Sequence, residues 1–124
     1  MSYKIEFLGA FAIKDEGNGC LTSVYNNQEQ NEDYPECCKL IAGFEKVDFQ
    51  GDYHSTWIES DEDGPTGQSN PSVLKIRKAS PHAYTLNWCD EDDEVIFKGH
   101  GMIRNGELVG AYWQETKESN QFVI

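Results

Sequence analysis

Between residues 73 and 113, four short runs of alternating apolar and polar residues are separated by turn signals, and no other feature constrains the fold as tightly. VLKIRK at 73–78 is followed by the turn ASPH at 79–82, then by YTLNW at 84–88 and the acidic turn DEDDE at 90–94. VIFKGHGMI at 95–103 comes next, and Asn105-Gly106 leads into ELVGAYW at 107–113. A period of two puts successive side chains on opposite faces of a strand, so each run has one face to give to a core. Asn-Gly is the strongest short hairpin signal, because both central residues of a type I′ turn need positive φ and these two residue types tolerate it. The runs predict a four-stranded antiparallel meander. Gly99, Gly101 and Gly110 fall within its strands, where missing side chains make room for bulky neighbours such as Trp88 and Trp113 and permit the bends of a closed barrel.

The first half is less regular. Residues 3–13 alternate loosely, with Gly9 where a bend or bulge fits, and DEGNG at 15–19 turns the chain into a second strand over 20–25. Residues 26–33 form a polar loop. Pro35 suits the first turn of a helix, with Glu36 beside it and Cys38, Leu40, Ile41 and Phe44 behind, so a short helix is expected over 35–43. A strand through 39–42 is the alternative reading. Residues 47–58 read as a long strand through Val47, Phe49, Gly51, Tyr53, Ser55 and Trp57, and ESDEDGPTGQSNP at 59–71, charged and without periodicity, reads as an exposed loop.

The 124 residues fit one domain, and six Phe, six Tyr and three Trp supply the large burial units that disordered chains lack. Ten Lys and Arg against 22 Asp and Glu give a net charge of −12, a field that repels nucleic-acid phosphate and anionic lipid. Neither nucleic acid nor membrane is an expected partner. The opening residues carry Lys4 and Glu6 inside an alternating pattern and never form an apolar run of signal-peptide length, so a cytoplasmic location is expected. Cys20, Cys37, Cys38 and Cys89 lack both a CxxC pair and the density of a secreted framework, and reduced thiols are expected.

Y-x-L-x-W at 84–88, F-x-G-x-G at 97–101, Asn105-Gly106 with Leu108-Val109, and Tyr112-Trp113 together resemble the strand pattern of lipocalin-like, or calycin-like, small antiparallel barrels. The resemblance covers residues 73–114, with a looser match at Gly51 and Tyr53. Residues 84–113 are also similar to the later strands of avidins, where a Trp ends one strand, an aromatic-x-Gly opens the next and another Trp follows the turn. The chain has no counterpart of the avidin first strand with its Trp and biotin-gripping loop, so this resemblance implies a fold rather than a ligand. What it implies is a mainly β, antiparallel up-and-down calycin-like barrel, or a curved half-barrel, with at most one short helix, as one domain over residues 1–124. Trp88 and Trp113 would be walls of a small-molecule pocket.

A barrel of about eight strands is either filled by its aromatic side chains or holds one small ligand. Trp57, Tyr84, Trp88, Tyr112 and Trp113 are the expected ligand-binding residues, with His100, whose ring is left room by Gly99 and Gly101, as a sixth. The expected function is noncatalytic binding of a small apolar or aromatic ligand. The alternative is an acidic protein–protein interaction module with a packed aromatic core, and a homodimer is consistent with either. Nothing points to catalysis: GNG at 17–19 and GHG at 99–101 do not stand between a strand and a helix, and neither G-x-S-x-G nor H-E-x-x-H occurs. DEDDE at 90–94 lacks the Gly and distal Glu of a calcium loop, and the cysteines with His54, His82 and His100 lack zinc spacing. Neither a metal nor a cofactor is expected.

Overall fold

The computed structural model describes residues 3–28, 32–41, 48–61 and 64–117, with side chains described at 8–28, 32–41, 48–57 and 72–114. Eight strands follow in chain order: β1 (Tyr3–Gly17), β2 (Cys20–Asn27), β3 (Tyr34–Leu40), β4 (Gly51–Asp61), β5 (Gly64–Ser80), β6 (Ala83–Cys89), β7 (Val95–Arg104) and β8 (Glu107–Lys117). Each pairs antiparallel with the next, and β1 pairs with β8 to close the barrel. Closure leaves no free edge along the ring of strands.

The expected C-terminal meander is β5 to β8. At the Asn105-Gly106 turn both φ values are positive, 54° and 81°, and the register on either side is Arg104↔Glu107 and Ile103↔Leu108. Asn18 and Gly19 repeat this chemistry between β1 and β2, with φ of 56° and 76°. The acidic stretch 90–94 is held by the Asp90 carboxylate, which accepts the backbone N–H groups of Asp92 and Glu94 at 2.9 and 3.0 Å.

Two expectations are corrected. No helix forms at 34–40; the segment is β3, with Tyr34, Glu36, Cys38 and Leu40 turned inward and Pro35, Cys37 and Lys39 outward. Residues 42 and 43 of the expected helix lie outside the described residues. A helical period of 3.6 would have scattered these side chains around an axis, whereas the barrel sorts them by two. Pro35 is tolerated because the β3–β4 ladder starts only at Glu36, so the residue without an N–H stands beyond it. The expected loop at 59–71 is also largely strand: β4 and β5 pair through Asp61↔Gly64. The β3 ladder ends on β4 at Trp57 and the β6 ladder ends on β5 at Val73, so beyond those points β4 and β5 have only each other. A two-stranded ribbon is not bound to the alternation that a barrel wall imposes, which is why the segment carries no strand signal.

One half of the barrel is filled by aliphatic side chains. Ile13, Leu21, Leu74, Ile76, Leu86 and Leu108 are fully buried there. Phe49, on the β3–β4 connection, packs edge-on against Tyr84 with ring centroids 6.5 Å apart, and its carbonyl accepts the buried Tyr53 hydroxyl at 2.9 Å. This end is that of the 18–19, 81–82 and 105–106 turns. The opposite end, where β2, β4 and β6 finish, has a different interior.

Candidate functional site

At the middle of the bore the inward positions change from aliphatic to polar. Ser23 on β2, Glu36 on β3, Ser55 on β4 and Ser72 on β5 are all buried. Ser23 and Glu36 are cross-strand partners, as are Ser55 and Ser72, so four successive strands contribute to one polar tier. Ser55 Oγ–H and Trp88 Nε1–H both donate to Glu36 Oε2, the latter at 2.7 Å. Oε1 takes part in neither bond. Burial pushes the Glu36 carboxyl up from the ordinary carboxylate range, and the hydrogen bonds from Ser55 and Trp88 and the nearby Ser23 hydroxyl pull against it.

Two further facts mark this tier as incomplete as a piece of core. No ion pair among the described residues involves Glu36; Lys14, Lys75, Arg77 and Lys78 pair with carboxylates on the outer surface. The buried hydroxyls of Ser23 and Ser72 have no hydrogen-bond partner of standard geometry, although 4% and 8% exposure puts both among the least accessible side chains. A buried polar group normally finds a partner, and one left without it costs stability.

Toward the β2, β4 and β6 ends the bore becomes aromatic. Trp57 meets Phe97 at 6.0 Å, Phe97 meets Tyr112 at 5.8 Å, Tyr112 meets Tyr25 at 6.2 Å and Tyr25 meets Tyr34 at 6.2 Å, mostly edge to face. The arc begins on β4, passes through β7, β8 and β2, and ends on β3, the strand paired with β4. Trp88 lies inward of it, 5.9 Å from Tyr112 and 6.0 Å from Phe11. Tyr25, Trp57 and Phe97 are only half-buried where they pack on the core. Asn27 Nδ2 donates to the Tyr112 hydroxyl at 3.2 Å.

Gly99 makes this arrangement possible. A Cβ there would stand 3.0 Å from the Trp88 ring, so the glycine expected to make room for Trp88 does so. Gly9 likewise lies under the Tyr112 ring, and the irregularity in the β1–β8 ladder is at Ile5–Phe7 rather than at Gly9.

Of the expected ligand-binding residues, Trp57, Tyr84, Trp88 and Tyr112 face the bore. Trp57, Trp88 and Tyr112 belong to the aromatic half, while Tyr84 packs on Phe49 in the other. His100 and Trp113 stand on the outer wall, because Gly99 and Gly101 on β7 and Leu108 and Tyr112 on β8 take the inward positions. Adjacent strand residues cannot share a face, and with Tyr112 inside Trp113 is outside. Sequence reasoning missed Glu36, Ser23, Ser55 and Ser72 as site residues. The signal was a polar residue at an inward position of an alternating strand, legible only once the phase of each strand is known. Among the described residues no group of His, Cys, Asp and Glu side chains is arranged to hold a metal ion, and all four cysteines are unbridged, with Cys37 outward and Cys38 inward.

Compared with protein-family models, with curated proteins and with solved structures, the chain matches none.

Proposed function

We propose that the protein binds a small ligand with an apolar or aromatic body inside the barrel, without catalysing a reaction. One observation carries the reading: a buried carboxyl with no basic partner among the described residues, and two buried hydroxyls without a partner of standard geometry there, lie beneath an arc of aromatic rings. Such a tier lowers stability as core, since its polar groups are desolvated without full compensation. Its chemistry matches a binding site, in which apolar walls carry a few convergent polar groups that orient the ligand. Trp57, Trp88 and Tyr112 are assigned to the wall, and Glu36, Ser23 and Ser72 to orientation.

The test is a thermal-shift and tryptophan-fluorescence titration with indole, benzyl alcohol and naphthalene. Saturable fluorescence change with a concentration-dependent rise in Tm is the expected outcome, since a ligand that binds only the native state stabilises it by mass action. No response to any of the three at their solubility limits counts against the reading.

A second reading is favoured by a separate observation on the outer wall. Val24, Ala12, Val109 and Met102 are register neighbours across β2, β1, β8 and β7, and Leu8 and Trp113 pair on the same face beyond Ala10 and Ala111. Leu8, Val24 and Met102 are about half exposed. This stripe gives a protein–protein interaction module its contact face, with Trp113 and His100 on it. Sedimentation of the wild type and of Met102→Glu tests it: a concentration-dependent dimer lost in the variant supports a homodimer.

A further inference from the structure

We propose that the ligand of the bore is a small organic amine, its ammonium group held by Glu36 Oε1 and the neighbouring Ser23 hydroxyl, and its apolar body among the rings of Trp57, Phe97, Tyr112 and Tyr25. The proposal rests on the ligand-binding reading above and adds the sign of the ligand's charge.

The hydrogen-bond inventory points to a donor. Oε2 already accepts from Ser55 and Trp88, so the remaining acceptor capacity of the carboxylate is concentrated on Oε1. Ser23, beside Glu36 in the ladder, and Ser72, beside Ser55, have buried hydroxyls without a partner of standard geometry among the described residues. A primary ammonium carries three N–H donors, and Glu36 Oε1 and the Ser23 hydroxyl, side by side in the ladder, can accept two of them. An anionic ligand would meet a carboxyl with no cation beside it among the described residues. A neutral ligand would leave the carboxyl either protonated or uncompensated.

The surroundings favour a cation as well. Aromatic faces attract ammonium groups through the ring quadrupole, and the attraction grows as the site is desolvated. The arc of rings stands in the part of the bore nearest Glu36, whose ladder partner is Trp57. A net charge of −12 raises the local concentration of small cations around the molecule. The groups facing Glu36 are Ser23 on β2, Ser55 on β4, Trp88 on β6, Tyr112 on β8 and Cys38 on its own strand. Burial pushes the Cys38 thiol and the Tyr112 phenol up, so both remain neutral and neither supplies a competing charge near pH 7. Since burial also favours the protonated form of Glu36, binding an ammonium ionises the carboxyl and releases a proton to solvent.

The experiment compares three probes of one shape and different charge, benzylamine, benzyl alcohol and benzoate, by calorimetric titration of the wild-type protein in two buffers of different ionisation enthalpy. Benzylamine is expected to bind about tenfold to a hundredfold more tightly than benzyl alcohol, the worth of one charge-assisted hydrogen bond, with net proton release and with benzoate weakest. Glu36→Gln is expected to erase the preference for benzylamine while benzyl alcohol still binds. Equal or tighter binding of benzyl alcohol to the wild type overturns the amine assignment and leaves the ligand-binding reading standing. Failure of all three probes overturns both. Should Glu36→Gln not fold, the wild-type ranking and the proton count decide alone, and tight benzylamine binding without proton release, or a preference for benzylamine that survives in a folded Glu36→Gln, rejects the assigned carboxyl.

Discussion

At the scale of the residue, Glu36 is where stability and function diverge. Its carboxyl titrates above its unfolded value when the protein is folded, so the native state retains a proton that the unfolded chain releases. By linkage, stability is greatest below the unfolded value near 4.5 and falls as the pH rises through the folded value. Glu36→Gln removes the titration and keeps a carbonyl oxygen to accept from Ser55 and Trp88. Urea denaturation should show the variant equal to wild type in acid and more stable at neutral pH, by about 1–3 kcal/mol, the range for relieving one poorly compensated buried polar group. A variant less stable than wild type at pH 7 contradicts this. Trp88 contributes both a donor and a ring. Trp88→Phe should cost about 1–3 kcal/mol through the lost N–H bond to a carboxyl, and Trp88→Ala about 3–5 kcal/mol through the cavity. A Trp88→Phe variant as stable as wild type would mean that the indole N–H contributes nothing. The site was hidden in the sequence for a residue-scale reason: serines at 23, 55 and 72 are unremarkable in composition, and only the inward phase of their strands makes them buried.

At the scale of the element, legibility followed the strictness of the period. β6 to β8 are readable because Leu86, Trp88, Leu108 and Tyr112 alternate with polar or small residues and a positive-φ turn fixes the register between β7 and β8. β3 was not, since Glu36 occupies an inward position where an apolar residue would have revealed the alternation, and Pro35 imitates a helix start. The β4–β5 ribbon was not, because it leaves the barrel wall and with it the constraint that writes a pattern. The glycines of the meander separate into two mechanisms that mutation distinguishes. Gly106 has a φ of +81° with open space around it, so Gly106→Ala should cost only about 1–2 kcal/mol of left-handed backbone strain. At Gly110 a Cβ would stand 2.6 Å from Gly101 Cα and against the His100 carbonyl, both backbone atoms of β7. No side-chain rotation relieves that contact, and β7 must separate from β8. Gly110→Ala should therefore be the more damaging by a wide margin, seen as a lower denaturation midpoint or loss of soluble protein; equal midpoints would show that the ladder yields without cost.

At the scale of the whole molecule, charge and closure act together. A closed barrel fixes its surface carboxylates at short spacing, and a net charge of −12 makes that compact state repel itself at neutral pH. The outer ion pairs offset little of this: Lys75–Asp93 at 2.8 Å and Arg77–Asp52 at 2.6 Å lie on the outer surface, where solvent screening leaves such pairs little net worth. Added salt should therefore raise the Tm at pH 7 by screening the repulsion, since the Debye length shrinks from about 10 Å at 0.1 M to about 3 Å at 1 M. Near the sequence pI of about 4.5 the same addition should have little effect, because the net charge is then close to zero. Lowering the pH from 7 relieves the surface repulsion and also lessens the cost of the proton that folded Glu36 retains and the unfolded chain releases, so both contributions move stability upward toward mildly acidic pH. They are separable by salt, which acts on exposed charges and barely reaches a buried one. In Glu36→Gln the salt response at pH 7 should match that of wild type, while the stability gained on acidification should be smaller by Glu36's share. Should the variant instead lose the salt response, the repulsion would have to originate in the bore, and the assignment of the excess charge to the outer wall would fail.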